Sequence, residues 1–276
     1  MVRKPAIAYE PYREDIFGRV SLLGPVDVLH DDRLGAVIRE VRPHVVVNCI
    51  GLVKQLEEAA DPYLAVAINA LLPHRLARLC ADVDARLIHI STDCVFDGER
   101  GSYGESDLTN AVDLYGRTKA LGETAASESN AITLRTSFIG REFAARRHGL
   151  IEWFLAQEHG TVDGYGNVLY SGLTSIELTN VIQRIIDEST SLSGVHHVAG
   201  NPISKLDLLQ IVRRIYGLHI EIRPTEQPRC DRTLIMNDRF SSLIGWTPPP
   251  WPEMIEQMYR DPTPYDAWSS REESSA

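Results

Sequence analysis

Val45-Val46-Val47-Asn48-Cys49-Ile50, an amphipathic stretch from Asp61 to Ala81, and Arg86-Leu87-Ile88-His89-Ile90-Ser91 together decide how this chain folds. Both apolar runs are short, rich in β-branched residues and almost continuously hydrophobic, so each reads as a strand covered on two faces. A helical pattern long enough to cross over lies between them, which makes the three pieces a βαβ unit with parallel strands. The unit repeats downstream: a loop rich in Gly, Asp and Ser from Asp97 to Asn110, helical character from Asp113 to Ala126, and a strand at Ile132-Thr133-Leu134-Arg135-Thr136. Repetition of this kind predicts an α/β fold with a doubly wound parallel sheet, whose ligands bind outside the carboxyl ends of the strands.

Residues 1–140 are accordingly expected to form the dinucleotide-binding domain. From 141 to 260 the pattern is mixed, with helices at Leu150 to Gln157, Ser175 to Ile186 and Lys205 to Tyr216 and a short strand near Val195 to Val198. This predicts a smaller mixed α/β substrate lobe, some of whose segments return to the main sheet. Trp246-Thr247-Pro248-Pro249-Pro250-Trp251 breaks the chain before a last short helix at Pro252 to Met258. Pro, Ser and Glu dominate 261–276, which is expected to be a disordered tail. No internal repeat is present.

With 276 residues, 43% hydrophobic and 24% charged, the chain can bury one large core or a core with a smaller lobe. Its 28 Lys+Arg against 38 Asp+Glu give a formal charge of -10, which argues against nucleic acid or an anionic membrane surface as the main partner. Four widely spaced cysteines, Cys49, Cys80, Cys94 and Cys230, form no CxxC pair and read as reduced thiols of a cytoplasmic protein. No run of about 18 apolar residues and no signal-peptide core is present. His30, His44, His74 and His89 lack metal-ligand spacing, and no metal is expected.

The chemistry is carried by Tyr115-Gly116-Arg117-Thr118-Lys119, because a four-residue spacing on a helix puts phenol and ammonium on one face. A Tyr exchanges a proton at neutral pH more readily beside a cation that stabilises its phenolate, and Lys119 can supply one. The spacing alone also describes an ordinary surface pair. Upstream, however, Ser91-Thr92-Asp93 closes a buried strand at the ligand-binding edge, where a hydroxyl can donate to a carbonyl oxygen while Tyr115 delivers the proton. The other reading of Ser91 and Thr92 is a turn cap. Gly98, Gly101 and Gly104 read as a turn cluster rather than a phosphate loop, since no long helix opens at the third glycine. Arg229 and Arg232 suit either a pyrophosphate clamp or a surface ion pair.

Two longer stretches, Ile88-His89-Ile90-Ser91-Thr92-Asp93-Cys94-Val95-Phe96-Asp97-Gly98 and Leu114-Tyr115-Gly116-Arg117-Thr118-Lys119-Ala120-Leu121-Gly122-Glu123, resemble the extended short-chain dehydrogenases and, within them, the dTDP-4-dehydrorhamnose reductases. The resemblance runs from about Asp27 to Met258. It implies a Rossmann-type fold and NADPH-dependent reduction of a keto group on a nucleotide-linked deoxysugar, in polysaccharide precursor synthesis, with NADH as the other candidate cofactor. It further implies Thr92, Tyr115 and Lys119 as the catalytic triad, with Tyr115 and Lys119 also facing the cofactor and Lys119 holding the nicotinamide ribose. Asp27 and Val28 correspond to the adenine-contacting pair, Asn48 and Gly51 to the cofactor-facing strand end, and Asn69 to a helix asparagine facing the cofactor. Thr92, Asp93, Cys94, Phe138 and Arg232 are the implied substrate-side residues. Phe138 and Cys94 replace another aromatic and a Tyr of the family, which leaves the sugar open. A UDP-linked amino-deoxyhexulose is a second substrate reading, and a non-catalytic regulatory subunit that only holds a ligand is a reading from another class. The resemblance leaves a homodimer open.

One departure stands out. A dinucleotide fold opens with a strand, a Gly-rich turn and a helix whose N-terminus receives the pyrophosphate. This chain opens instead at Met1-Val2-Arg3-Lys4-Pro5, which resembles the end of the second strand, where Arg3 would meet the 2′-phosphate of NADP. The expectation is that one βα unit, ~25 residues, is missing and that the chain as given binds its cofactor poorly.

Overall fold

The computed structural model describes residues 23, 26–29, 32–123, 130–142, 149–188 and 192–266. The strand remnant expected at Arg3 and most of the expected tail, 267–276, lie outside them.

The described chain opens with α1 (Arg33–Val41) and β1 (Val45–Asn48). Asp61 then accepts a hydrogen bond from Tyr63 N–H at 2.8 Å with Pro62 beside it, a start signal for α2 (Pro62–Ala65). A π-helical turn (Val66–Leu71) joins α2 to α3 (Leu72–Ala81), so the predicted helix from Asp61 is one rod with an irregular centre. β2 (Arg86–Ile90), α4 (Leu114–Leu121) and β3 (Ala131–Arg135) follow, each within a few residues of its predicted place; the last residues expected in α4, 124–126, lie outside the described ones.

Beyond Gly140 the chain forms helices and short strands. β4 (Phe138–Ile139) leads to α5 (Leu150–Leu155), β5 (Thr161–Tyr165), β6 (Val168–Tyr170), β7 (Leu173–Thr174) and α6 (Ser175–Asp187). β8 (Gly194–His197), β9 (Ile203–Ser204), α7 (Lys205–Tyr216), β10 (Glu221–Thr225), β11 (Cys230–Asp231), α8 (Asp238–Leu243) and α9 (Trp251–Tyr259) complete it. Strands of two or three residues, and the short α8, carry too little periodicity to be read from sequence.

The main sheet has the order β1-β2-β3-β8, all parallel. The predicted strand near Val195 is therefore, among the described residues, an edge of the main sheet, one of the segments of 141–260 expected to return to it. Adjacent residues on β2 face opposite layers: Leu87 packs with Ile38, Leu76, Ala77 and Cys80 from α1 and α3, whereas Ile88 packs with Ile132, Leu134, Val181 and Ile185. This two-sided burial is the physical reason that the strands read as continuous apolar runs. The second layer continues without a break into Phe154, Tyr170, Leu208, Val212 and Trp251. The smaller sheets β10-β5 and β11-β6-β9 thus share one core with the main sheet.

By length and composition the rod Pro62–Ala81 could cross a bilayer, with a mean hydropathy of 1.2, but half of it is buried inside the protein. Its Leu72, Leu76, Ala77 and Cys80 belong to the sheet's first layer, which is the pattern of a core helix.

Candidate active site

The site is built where β2 ends. Thr92 caps the turn Asp93–Val95 by accepting a hydrogen bond from Cys94 N–H at 3.1 Å, so the capping role read as an alternative is real and coexists with a place on the cavity wall. Ser91 is different, since its hydroxyl donates to Glu123 at 2.9 Å. Glu123 is in turn gripped by the Arg135 guanidinium at 2.8 and 2.7 Å, a buried two-pronged pair that fastens the end of α4 to β3.

α4 brings in the other two groups. Its first turn is capped by Asp113, which accepts Gly116 N–H at 2.7 Å. Gly116 lets the helix lie directly on the β2 turn: a Cβ there would stand 2.1 Å from the Cys94 carbonyl oxygen. At the other end of the helix a Cβ on Gly122 would stand 2.0 Å from the Asn69 carbonyl oxygen. Two contacts at backbone distance thus fix where Tyr115 and Lys119 point.

Thr92 and Tyr115 line a cavity of about 310 Å³ with Asp93, Cys94, Phe138, Lys54 and Gln55. Burial is the largest influence on the Tyr115 phenol and raises its pKa, Cys94 adds to this, and a hydrogen bond with Thr92 opposes it. The depression of that pKa expected from Lys119 is therefore not what the geometry gives. Lys119 is buried and donates to the Ile90 carbonyl at 2.7 Å, and its own pKa is lowered to about 8, chiefly by burial, against the fields of Glu123 and Cys49. A phenol held above its ordinary value is protonated at neutral pH but is a weaker acid than a free one, so its transfer must be driven by the basicity of the oxygen that receives the proton.

The Lys119 value carries a pH prediction. A lysine with pKa near 8 is charged below that value and neutral above it, so a step that needs the charge slows as pH rises through about 8. kcat/KM is expected to fall on that side. Lys119→Arg keeps the charge and should move the fall to higher pH, as steady-state profiles of the two proteins would show; a wild-type profile flat through about pH 8 would contradict it.

The other sequence-derived residues divide. Cys94 lines the cavity, its thiol pushed up to about 11 by burial first and the Asp93 charge second. Phe138, half exposed on β4, forms part of the wall. Arg232 does not line it: Nε donates to the Phe96 carbonyl at 3.0 Å and Nη2 to the Asp97 carbonyl at 3.2 Å, which pins the loop after β2. Asn48 is buried, and its amide meets His89 Nδ1 at 3.0 Å. Asn69 exchanges both hydrogen bonds with the Leu52 peptide, at 2.8 and 3.1 Å, and holds the loop that carries half-buried Gly51. Asp27 is exposed and accepts Leu29 N–H at 2.9 Å. Val28 and Leu29 line a second cavity, of about 520 Å³, with Tyr63, Val66, Leu71 and Arg75.

Sequence reading passed over Lys54 and Asp113. Lys54 Nζ lies 2.6 Å from Asp113 and 5.5 Å from the centre of the Tyr115 ring, so the loop after β1 is tied to the cap of α4 across the phenol. An Asp before a helical pattern was a usable cap signal; the Lys54 contact joins residues far apart in sequence and gave none. Among the described residues, Glu158, His159 and His219 offer donor atoms within 4.8 Å of one another, exposed and outside the lining of either cavity.

The chain is similar to known proteins in sequence and in fold. Residues 12–263 match the RmlD substrate binding domain family. A dTDP-4-dehydrorhamnose reductase of Mycobacterium tuberculosis is 39% identical over 225 residues, 74% of this chain and 72% of that protein. The methionine adenosyltransferase 2 subunit beta of Bos taurus is 36% identical over 262 residues, 85% of this chain and 78% of that protein. In fold, the dTDP-4-dehydrorhamnose reductase of Bacillus anthracis, crystallised with NADP, superposes with a TM-score of 0.75 at 20% identity, covering 91% of this chain and 94% of that one.

Proposed function

The chain belongs to the RmlD substrate binding domain family, and from that premise we propose that it is a reductase that moves hydride from NADPH to the keto carbon of a nucleotide-linked deoxysugar. The observation that carries the reading is the meeting of Thr92 and Tyr115 on one cavity wall at the carboxyl end of the sheet, with Lys119 one helical turn behind. The relatives named as dTDP-4-dehydrorhamnose reductases suggest the substrate class.

The residues present suit a nicotinamide dinucleotide at two places. The cavity walled by Val28, Tyr63, Val66 and Leu71 is mostly apolar and wide enough for a planar base. Lys119, charged and buried behind the cavity, suits a ribose diol. When bound, the cofactor supplies the hydride. Thr92 Oγ1 polarises the substrate carbonyl, and Tyr115 Oη gives its proton to the oxygen that becomes a hydroxyl. Lys119 holds the ribose and balances the phenolate that remains. The preference for NADPH over NADH rests on Arg3, outside the described residues. A reducing, cytoplasmic setting accords with four free cysteines.

The test is NADPH oxidation with a nucleotide-linked 4-keto-6-deoxyhexose, together with cofactor binding by calorimetry. Lys119→Met is expected to damage turnover and cofactor affinity together, because that side chain has two tasks; affinity equal to the parent's would contradict the ribose role. The relative named as a subunit of methionine adenosyltransferase keeps the second reading in play, a non-catalytic regulatory subunit that only holds a ligand. Cofactor binding with no turnover of any keto sugar nucleotide would favour it.

A further inference from the structure

Thr92 has one hydroxyl hydrogen. Asp93 Oδ1 lies 3.2 Å from Thr92 Oγ1, where an ionised Asp93 accepts the Thr92 hydrogen, while Cys94 N–H occupies a lone pair of the same oxygen. A hydroxyl whose hydrogen rests on a carboxylate cannot give that hydrogen to a carbonyl in the cavity. If Thr92 polarises the substrate, its hydrogen must be released.

Resting on the reading of Thr92 just given, we propose that Asp93 sets the direction of the Thr92 hydroxyl. As the neutral acid it donates to Thr92 Oγ1 and frees the Thr92 hydrogen for the substrate oxygen; as the carboxylate it takes that hydrogen and withholds it. Asp93 is then a positioning residue, and its proton decides whether the site is competent.

The surroundings of Asp93 favour such a balance. The side chain is buried in the turn after β2, and burial raises its pKa. Two cations oppose this, Arg232 just beyond β11 and Lys205 at the start of α7, helped by hydrogen bonds with Cys94 and Thr92. The remaining titratable groups that feel its charge are the phenols of Tyr115 on α4 and Tyr170 on β6 and the Cys94 thiol.

Of the two cations, Arg232 is engaged by the carbonyls of the loop after β2. Lys205 is placed at a cost. It stands in the first turn of α7, where the helix dipole disfavours a cation, although Ser204 and Asp207 cap that turn in the usual way. Its Nζ lies 3.7 Å from the centre of the Tyr170 ring, and burial lowers its pKa to about 8, opposed by the fields of Asp93, Cys94 and Cys230. The Tyr170 hydroxyl beside it is buried without a hydrogen-bond partner. The field of the Asp93 carboxyl offsets part of that cost.

The experiment is infrared difference spectroscopy of the whole protein across pH, with kcat measured over the same range. A protonated-carboxyl band is expected at pH values where the protein turns over, absent in Asp93→Asn, and its loss with rising pH should parallel a fall in kcat. Lys205→Met removes a cation that favours the carboxylate, so band and fall should move together to higher pH. This second variant decides the matter even where Asp93→Asn does not fold. A spectrum without an Asp93-dependent acid band, or a band that moves in Lys205→Met while kcat does not follow, overturns the proposal. Thr92→Ala separates the two levels. Unchanged kcat in it overturns the role of Thr92 itself, whereas a loss there beside an Asp93 that is always ionised overturns only the part given to Asp93.

Discussion

Tyr115→Phe is expected to lower kcat by about 10²-fold or more while the cofactor dissociation constant stays within about threefold of the parent's. The substitution removes the phenolic oxygen and keeps the ring. That ring lies under the Lys54 ammonium, at 5.5 Å, and Phe retains the same face, so the tie between Lys54 and Asp113 across it should persist. Only the proton donor is lost. Thr92 beside it on the cavity wall is a far weaker acid than a phenol. Steady-state NADPH oxidation and cofactor calorimetry on the two proteins would check it. Turnover like that of the parent would remove Tyr115 from the chemistry, and a collapse of cofactor affinity would mean that the phenol holds the cofactor more than it serves the reaction.

The second large effect concerns a residue without a functional group. Gly116→Ala is expected to destabilise the protein by about 1–3 kcal/mol and to lower kcat by about 10²-fold. The new Cβ would stand 2.1 Å from the Cys94 carbonyl oxygen and 2.5 Å from the Ala111 Cβ. A backbone carbonyl cannot swing aside as a side chain can, so α4 must move away from the β2 turn. Tyr115 precedes Gly116 and moves with it, away from Thr92. A shift of about 1 Å is enough to spoil proton delivery. Gly104→Ala is the control: a Cβ there meets nothing nearer than Asp107 Oδ2 at 3.8 Å, and its effect on stability should stay within about 0.5 kcal/mol. Denaturant melts and kcat for both variants test the pair. Equal behaviour of the two would show that the contact between α4 and the turn relaxes freely.

Much of this protein was legible in the chain itself. The strands at Arg86 and Ile132 were found because both their faces are buried, which forces an unbroken apolar run, and the one at Val45 by its β-branched run although Val47 is exposed. The rod from Pro62 was found because its apolar residues recur at helical spacing and Asp61 marks its start. Thr92, Tyr115 and Lys119 were singled out because a strand end and a single helical turn are local geometries, fixed by spacing within a few residues. Other features were decided only when the chain closed on itself. Spacing put a cation near the Tyr115 phenol, but the packed site gives Lys119 to the Ile90 carbonyl and lets burial raise the phenol instead. Arg232 looked equally suited to a pyrophosphate or a surface pair; two backbone carbonyls, 135 and 136 positions away in sequence, took it. Some segment after Gly140 was expected to return to the main sheet, but only the folded chain shows that it is the strand at Val195, paired with Thr133. Lys54, Asp113 and Lys205 carried no signal of a shared site, because what joins each to the cavity is a contact between distant elements. Local geometry follows from neighbours along the chain. The charge and direction of a buried group follow from neighbours in space, and those exist only in the folded protein.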